Sequence, residues 1–386
     1  MTDQTLPLAE GAGVSAGTLV DQAGLAPRPH RAASSSSLAV GTIAASRTLY
    51  RFIQRYFPQI LLVGIALSII FVYTTGGLTL MEQQIKNALV LGGIYALVAI
   101  GYTMVYGIIE LINFAHGDVF TLSGFYALII VTSFGGALNS LATGSGVGLV
   151  IALVVLFAGT MLAAGLTGMA IERVAYRRLR DAPRLAPLIT AIGVSFLLEG
   201  FMLVKFGADN VPTKESRWIS GQAFTIGSTV IEWKDLFVVV TAIALMFALG
   251  AFVRATKLGK AMRATAQDRN ASLLCGINVN RTIAATFFIG SALAAAGAIV
   301  YSVYYNLIQW NLGYQLGIIA FTAAVLGGIG NIVGAGVGGF LIGIISVFGG
   351  QLAGGEWSNS LVFAILVIIL TFRPVGLFGV DVTSRA

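Results

Sequence analysis

The chain has 386 residues, of which 57% are hydrophobic and 10% charged, and its mean hydropathy is +0.88. An ordinary soluble domain carries about 25% charged residues, so a soluble globule is excluded. The net charge of +7 does not point to nucleic acid, because most basic residues sit in short loops between apolar spans, where orientation in a membrane accounts for them.

The composition leaves an all-α polytopic membrane protein. Long continuous apolar segments, rather than short alternating ones, argue for helices and against an outer-membrane barrel. An inner, energised membrane is the expected location. At about 20 residues per spanning helix, the chain has room for about eight to ten crossings, with residues 47–386 forming one membrane domain. The single cysteine, Cys275, permits no internal disulfide, and no cysteine and histidine cluster has metal-ligand spacing. Cys275 itself is expected to be a small buried residue.

Residues 1–46 are rich in Ala, Gly, Ser, Thr and Pro and lack the apolar core of a signal peptide, so a disordered cytoplasmic tail is expected. Arg47, Arg51 and Arg55 precede a first apolar segment at 60–75, with Pro58 near its start as at a helix entrance. Further spans are expected at 87–109, 117–134, 148–170, 186–206, 235–253 and 282–302. If each crosses once, the loops 171–184 and 254–281 share one side. The first holds Arg173, Arg177, Arg178, Arg180 and Arg184, and the second Arg254, Lys257, Lys260, Arg263, Arg269 and Arg281. Loops assigned to the other side are poor in basic residues, so the positive-inside rule makes the basic side and both termini cytoplasmic.

Between Asn87 and Phe134 the only full charges are Glu110 and Asp118, which flank the polar break Glu110-Leu-Ile-Asn113-Phe-Ala-His116-Gly117-Asp118. An acid at the centre of a membrane helix costs about 2.5 to 3.5 kcal/mol, and irregular backbone at membrane depth is tolerated only where protein buries it or it lines a cavity. Glu110, Asn113, His116 and Asp118 are therefore candidates for a translocation path or gate. The competing role is structural, with Asn113 and Asp118 capping a helix that starts near Val119. The crossing count puts the break near the cytoplasmic side, and a helix that stops at mid-depth and re-enters is the alternative. Tyr102 and Tyr106 share a helical face and either line the path or anchor an interface. Glu199, inside its span, is expected to be paired within the bundle or to touch substrate.

The segment 317–348 holds a second, glycine-rich interruption at Gly327-Gly328-Ile-Gly330-Asn331. At 32 residues it is long for one span and short for two, and it reads as a hairpin of one short and one fuller helix. Gly334 with Gly338 and Gly339 with Gly343 give the four-residue small spacing that lets helices approach closely in lipid. A last span at 359–372 ends on the cytoplasmic side before Arg373-Pro374. Two interruptions, one in each half, are the weak symmetry of transporters built from inverted repeats around broken helices.

Transport against a gradient needs an energy source, yet no Gly-x4-Gly-Lys-Ser/Thr phosphate loop exists in the chain. Either an ion gradient works through this chain or a separate ATPase docks on it. The loop 254–281 bears on that choice, because Leu258 to Leu274 reads as a short amphipathic helix that ends at Gly276. Basic and small apolar residues on a short helix suit a protein docking surface as well as a membrane-orienting loop.

These residues also carry a family likeness. The run from Asn87 through Gly92-Gly93, Gly101-Tyr102, Tyr106-Gly107 and Asn113-Phe-Ala-His116-Gly117-Asp118 closely resembles LivH-type permeases of branched-chain amino-acid ABC importers. The likeness returns at Leu188-Ile-Thr-Ala-Ile-Gly193-Val-Ser195, at Ala264-Thr-Ala-Gln-Asp268 through Gly276-Ile277-Asn278, and at Ala320-Phe-Thr-Ala-Ala-Val-Leu-Gly-Gly-Ile-Gly330. It implies a non-catalytic permease that pairs with a second, LivM-like permease, two ATPase subunits and a periplasmic binding protein. ATP and magnesium would bind the ATPase subunits, and this chain would hold no cofactor. The block 263–278, including Arg263, Ala264, Asp268, Arg269, Leu274, Gly276 and Ile277, is similar to the family's ATPase-coupling loop. The implied substrates are leucine, isoleucine and valine, with urea or short-chain amides as the alternative. A stand-alone ion-coupled transporter using Glu110, Asp118 and Glu199 is the rival class. An intramembrane enzyme using His116 and Asp118 is disfavoured, because no defined nucleophile, metal set or carboxylate pair accompanies them.

Overall fold

A computed structural model describes residues 35–180, 182, 183 and 185–379, with side chains from 52 onward except at 216. The expected tail lies outside the described residues as far as residue 34, as do Asp181 and Arg184 of the basic loop. The chain divides into two units, 1–51 and 52–386. In the first, the described residues 35–51 are helical. The account below concerns the second.

Twelve helices and four short strands follow in order among the described residues. They are α1 (Ser35–Ile109), α2 (Ala115–Ser133), α3 (Gly135–Gly144), α4 (Gly146–Ile171), α5 (Leu185–Phe206), β1 (Val211–Pro212), β2 (Gln222–Ile226), β3 (Thr229–Glu232), α6 (Trp233–Ala255), α7 (Lys257–Gln267), α8 (Arg269–Leu274), α9 (Val279–Tyr305), β4 (Leu307–Ile308), α10 (Leu312–Gly327), α11 (Ile332–Ala353) and α12 (Ser358–Phe372). Eight helices among the described residues are long and apolar enough to cross a membrane. From Phe52 onward α1 runs for 58 residues, about 87 Å at 1.5 Å per residue and nearly three hydrocarbon thicknesses. It divides at Gly77, whose φ of 70° and ψ of −170° lie outside the helical region. Both the 60–75 and 87–109 segments therefore fall on α1. Pro58 lies inside the helix and does not mark its entrance.

The bundle is organised around α9, which is almost wholly buried. Its run Ser291-Ala-Leu-Ala-Ala-Ala-Gly297-Ala298 offers little side-chain bulk, so α2, α4 and α6 pack closely on it. The anticipated hairpin is present as α10, of 16 residues, and α11, of 22. A Cβ added at Gly343 would meet the Cα of Gly92 at 2.5 Å, so α11 and α1 touch backbone to backbone. By contrast α4 and α5 keep large apolar side chains exposed along most of their length.

Contacts sort the connections into two ends. At one end β1 pairs with β4 and β2 with β3, while the Trp218 indole donates to Asn139 Oδ1 at 3.3 Å and the Ser228 amide donates to Glu82. At the other end lie the basic connections, α7, α8 and the residues after α12. This is the partition that the counting of basic residues anticipates.

Candidate functional site

The helix α1 ends at Ile109, and Glu110 turns the chain with a φ of 58°, the left-handed region that L residues seldom occupy. Its side chain is exposed. The next residues run back alongside α1, for His116 lies against Gly101: a Cβ there would meet the imidazole Nε2 at 2.6 Å. Gly101 is eight residues before Ile109, about 12 Å along a helix. Thus α1 stops at the basic end of the bundle and α2 restarts about 12 Å inside it.

The start of α2 differs from expectation in its chemistry as well. The helix begins at Ala115 rather than near Val119, and its N-cap, Phe114, makes no side-chain capping bond. Asn113 and Asp118 therefore do not cap it. Instead Asn113 Oδ1 accepts from the Tyr176 hydroxyl at 2.9 Å, tying the break to the end of α4. The Asp118 carboxylate accepts from Ser195 Oγ on α5, and its other oxygen lies against Gly313 on α10. Tyr102 meets the His116 ring edge-on, with centroids 4.7 Å apart. Asn113, His116, Asp118 and Tyr102 are all buried, and their contacts reach α1, α2, α5, α10 and the turn that follows α4. Tyr106 is half-buried on α1. Glu199 sits one turn beyond Ser195, half-buried at the edge of α5, and forms no ion pair among the described residues.

Around this core the backbones of α2 and α10 approach to contact. A Cβ on Gly117 would meet the Gly313 carbonyl oxygen at 2.1 Å, and one on Gly317 the Cα of Gly117 at 3.1 Å. Neither short helix could pass the other with a larger residue here.

The second interruption is built differently. Gly328 and Gly330 take φ of 101° and 89°, and the buried end of α10 is closed by residues far along the chain. The amides of Leu377 and Phe378 donate to the carbonyls of Leu326 and Gly327 at 2.8 and 3.1 Å, and the Asn331 amide donates to the Phe378 carbonyl at 3.0 Å. Asn331 also caps α11 through the Gly334 amide. The break is therefore satisfied by protein, as irregular backbone within a membrane protein requires.

The segment 263–278 adjoins both interruptions. It is two helices and not one: Asp268 leaves the helical region, with φ −156° and ψ 115°, and its carboxylate caps α8 by accepting from the amides of Asn270 and Ala271. Arg263 donates to the Val253 carbonyl, and Arg269 donates to the carbonyl of Ile109, the last residue of α1. Gly276 takes φ 79°, and the Ile277 amide returns to Ser272 at 3.0 Å to close α8. Leu273 and Leu274 project into the surroundings, the latter 90% exposed, while Ala264 is half-buried. Cys275 is exposed, contrary to expectation, because it follows the last turn of α8 and points away from the bundle. A cavity of about 70 Å³ lies where these parts meet, lined by Thr103, Gly107, Val253, Met262, Arg263 and Gly330 among others. Gly107 and Gly330 touch there, a Cβ on the former lying 3.0 Å from the Cα of the latter.

Two clusters escaped the sequence reading. Glu172, fully buried, receives Arg177 at 2.9 Å and Arg180, which also donates to Asn280 at 2.5 Å. Two of the arginines read as orienting charges thus pair with one buried acid just past α4, and Arg180 links it to α9. At the opposite end Glu215, also buried, accepts from Ser302 Oγ at 2.9 Å, while Thr213 donates to the Ser302 carbonyl. Burial pushes the Glu215 carboxyl above the usual carboxylate range, and the bond from Ser302 offsets part of that rise.

A family profile described as "Branched-chain amino acid transport system / permease component" matches residues 84–370. The permease protein BraD of a high-affinity branched-chain amino acid transport system, from Pseudomonas aeruginosa, is 40% identical over 300 residues, covering 77% of this chain and 95% of its own. The corresponding protein LivH of Escherichia coli is 39% identical over the same shares. A probable LivH of Methanocaldococcus jannaschii is 22% identical over 78% of this chain and 93% of its own. No solved structure matches the chain.

Proposed function

This chain belongs to the permease-component family of branched-chain amino acid transport systems, and we propose that it serves as a membrane-spanning permease subunit of an ABC importer for leucine, isoleucine and valine. In this reading it is a multi-pass protein of the bacterial inner membrane with both termini in the cytoplasm. It pairs with a second, LivM-like permease and receives substrate from a periplasmic binding protein. ATP and magnesium bind two partner ATPase subunits, and this chain carries out no hydrolysis.

The observation that carries the mechanical part is the bond from Arg269 to the end of α1. A segment with an exposed Leu273-Leu274 tip among basic residues suits an ATPase docking surface, and the same segment grips the helix that precedes the polar break. Movement of a docked ATPase would shift α8, and through it the end of α1. The break between α1 and α2 would then change its packing around Tyr102, His116 and Asp118, as in alternating access at broken helices.

Reconstitution tests this directly. The complete complex in vesicles, supplied with its binding protein, is expected to accumulate radiolabelled leucine only when ATP is present on the ATPase side. Gly276→Arg, which forces a large side chain into left-handed backbone on the docking face, should abolish uptake and leave membrane insertion intact. Accumulation by this chain alone, driven by a proton or sodium gradient and indifferent to ATP, would overturn the reading.

A further inference from the structure

The break between α1 and α2 comprises residues 110–114, and it is held differently at its two ends. At the near end Arg269 of α8 donates to the Ile109 carbonyl, and Glu110 is exposed. The cavity of about 70 Å³ borders α1 there at Thr103, Gly107 and Ile108, so the last turns of α1 have free space on the side facing α7. At the far end the side chains are buried. Asn113 Oδ1 accepts from the Tyr176 hydroxyl at 2.9 Å, with Asn113 3% and Tyr176 1% exposed. Tyr176 closes a π-helical turn, Glu172–Tyr176, a form that is rare and frequent at functional positions.

That turn has little freedom to shift. Glu172 is fully buried and accepts from Arg177 and Arg180, and drawing the arginines away would leave a buried charge without its partners, which is strongly destabilising. Arg180 also donates to Asn280, the second residue of α9, and the Tyr176 ring lies against Phe287 of the same helix, with centroids 5.2 Å apart. Of the eight spans α9 is the most buried, so Tyr176 ties Asn113 to the centre of the bundle. The His116 amide donates to the Asn113 carbonyl at 3.1 Å, which carries the position of Asn113 into the first turn of α2. We infer that the Tyr176 hydroxyl is the pivot of the break. It is a positioning residue: it holds Asn113 against α9 while the end of α1 is displaced, so that the displacement turns His116 and Asp118 instead of being absorbed by residues 111–113. The inference rests on the ATPase-driven reading given above and names a residue through which that movement is delivered.

The test uses the complete complex in vesicles, supplied with its binding protein, with leucine accumulation and ATP hydrolysis measured together. Tyr176→Phe removes the donor and keeps the ring against Phe287. It is expected to lower the leucine accumulated per ATP hydrolysed about three- to tenfold, the equivalent of one hydrogen bond, with hydrolysis and recovery of the ATPase subunits unchanged. Asn113→Leu removes the acceptor and should lower the same ratio as much. The two changes together should do no more than either alone, because they break one contact. A bond that served only to stabilise the fold would lower protein yield, hydrolysis and uptake in step and leave the ratio as it was. An unchanged ratio in Tyr176→Phe, or losses that add in the double variant, would overturn the pivot while ATP-driven uptake by the wild type stands. Wild-type uptake indifferent to ATP would instead overturn the reading on which the pivot rests, and the pivot with it.

Discussion

Arg269 donates to the carbonyl of Ile109, 160 residues earlier in the chain. The carbonyl is one of those a helix leaves without an intrahelical partner at its end, so a guanidinium from α8 completes α1. Hydrogen bonds to charged groups contribute about 1.5 to 3 kcal/mol, enough to change the balance of two conformations about ten- to a hundredfold. Arg269→Ala is therefore expected to leave assembly with the ATPases intact and to cut ATP-driven uptake by about tenfold or more. Parallel measurement of uptake and ATP hydrolysis in vesicles checks it. Equal rates of uptake in the variant and the wild type would show that α8 does not act through α1.

Where Gly117 meets Gly313, the approach leaves no room for a methyl group. Gly117→Ala should lower the thermal stability of the detergent-solubilised protein by about 1 to 3 kcal/mol, the usual cost of overpacking. Gly135→Ala, at a helical position where the added carbon meets nothing within 4 Å, serves as the control and should leave stability unchanged. Equal unfolding curves for the two variants would contradict the packing described.

Much of this architecture was legible in the sequence. From α2 onward hydropathy gives most spans to within a few residues, because burial in lipid acts on every residue of a segment together, whereas the two segments expected at 60–75 and 87–109 lie on the single helix α1. The short helix at Leu312–Gly327 follows from glycine density and segment length. The polar core was legible in membership but not in wiring. Asn113 and Asp118 both lie where a cap is locally reasonable, yet their bonds go to Tyr176 and Ser195, 63 and 77 residues away. Nothing in the spacing of residues reports partners at that distance. Arg177 and Arg180 misled in the same way: a loop arginine that orients the protein and one that neutralises a buried Glu172 look alike in sequence.

Glu215 provides a dependence on pH. Its folded-state pKa is raised, by burial above all, so the folded loop holds its proton more tightly than an unfolded one. The stabilisation is present in full below the ordinary carboxyl range. It falls as pH rises from that range through the raised value. Proteolysis of the 207–232 connection should therefore quicken with increasing pH across this window, and Glu215→Gln should flatten the dependence. A wild-type loop whose cleavage rate is constant across the window would refute the assignment.

The bonds from Leu377 and Phe378 to the end of α10 bear on how the protein is made. The carbonyls of Leu326 and Gly327 find these partners only after about 50 more residues have been synthesised, roughly 3 to 10 s at ribosomal speed. Through that interval the second interruption has open backbone groups, so α10 can be threaded into the bilayer but not locked. The nascent bundle thus waits on α11 and α12, and its assembly is completed from the carboxyl-terminal side, at the same face of the bundle that carries α7 and α8.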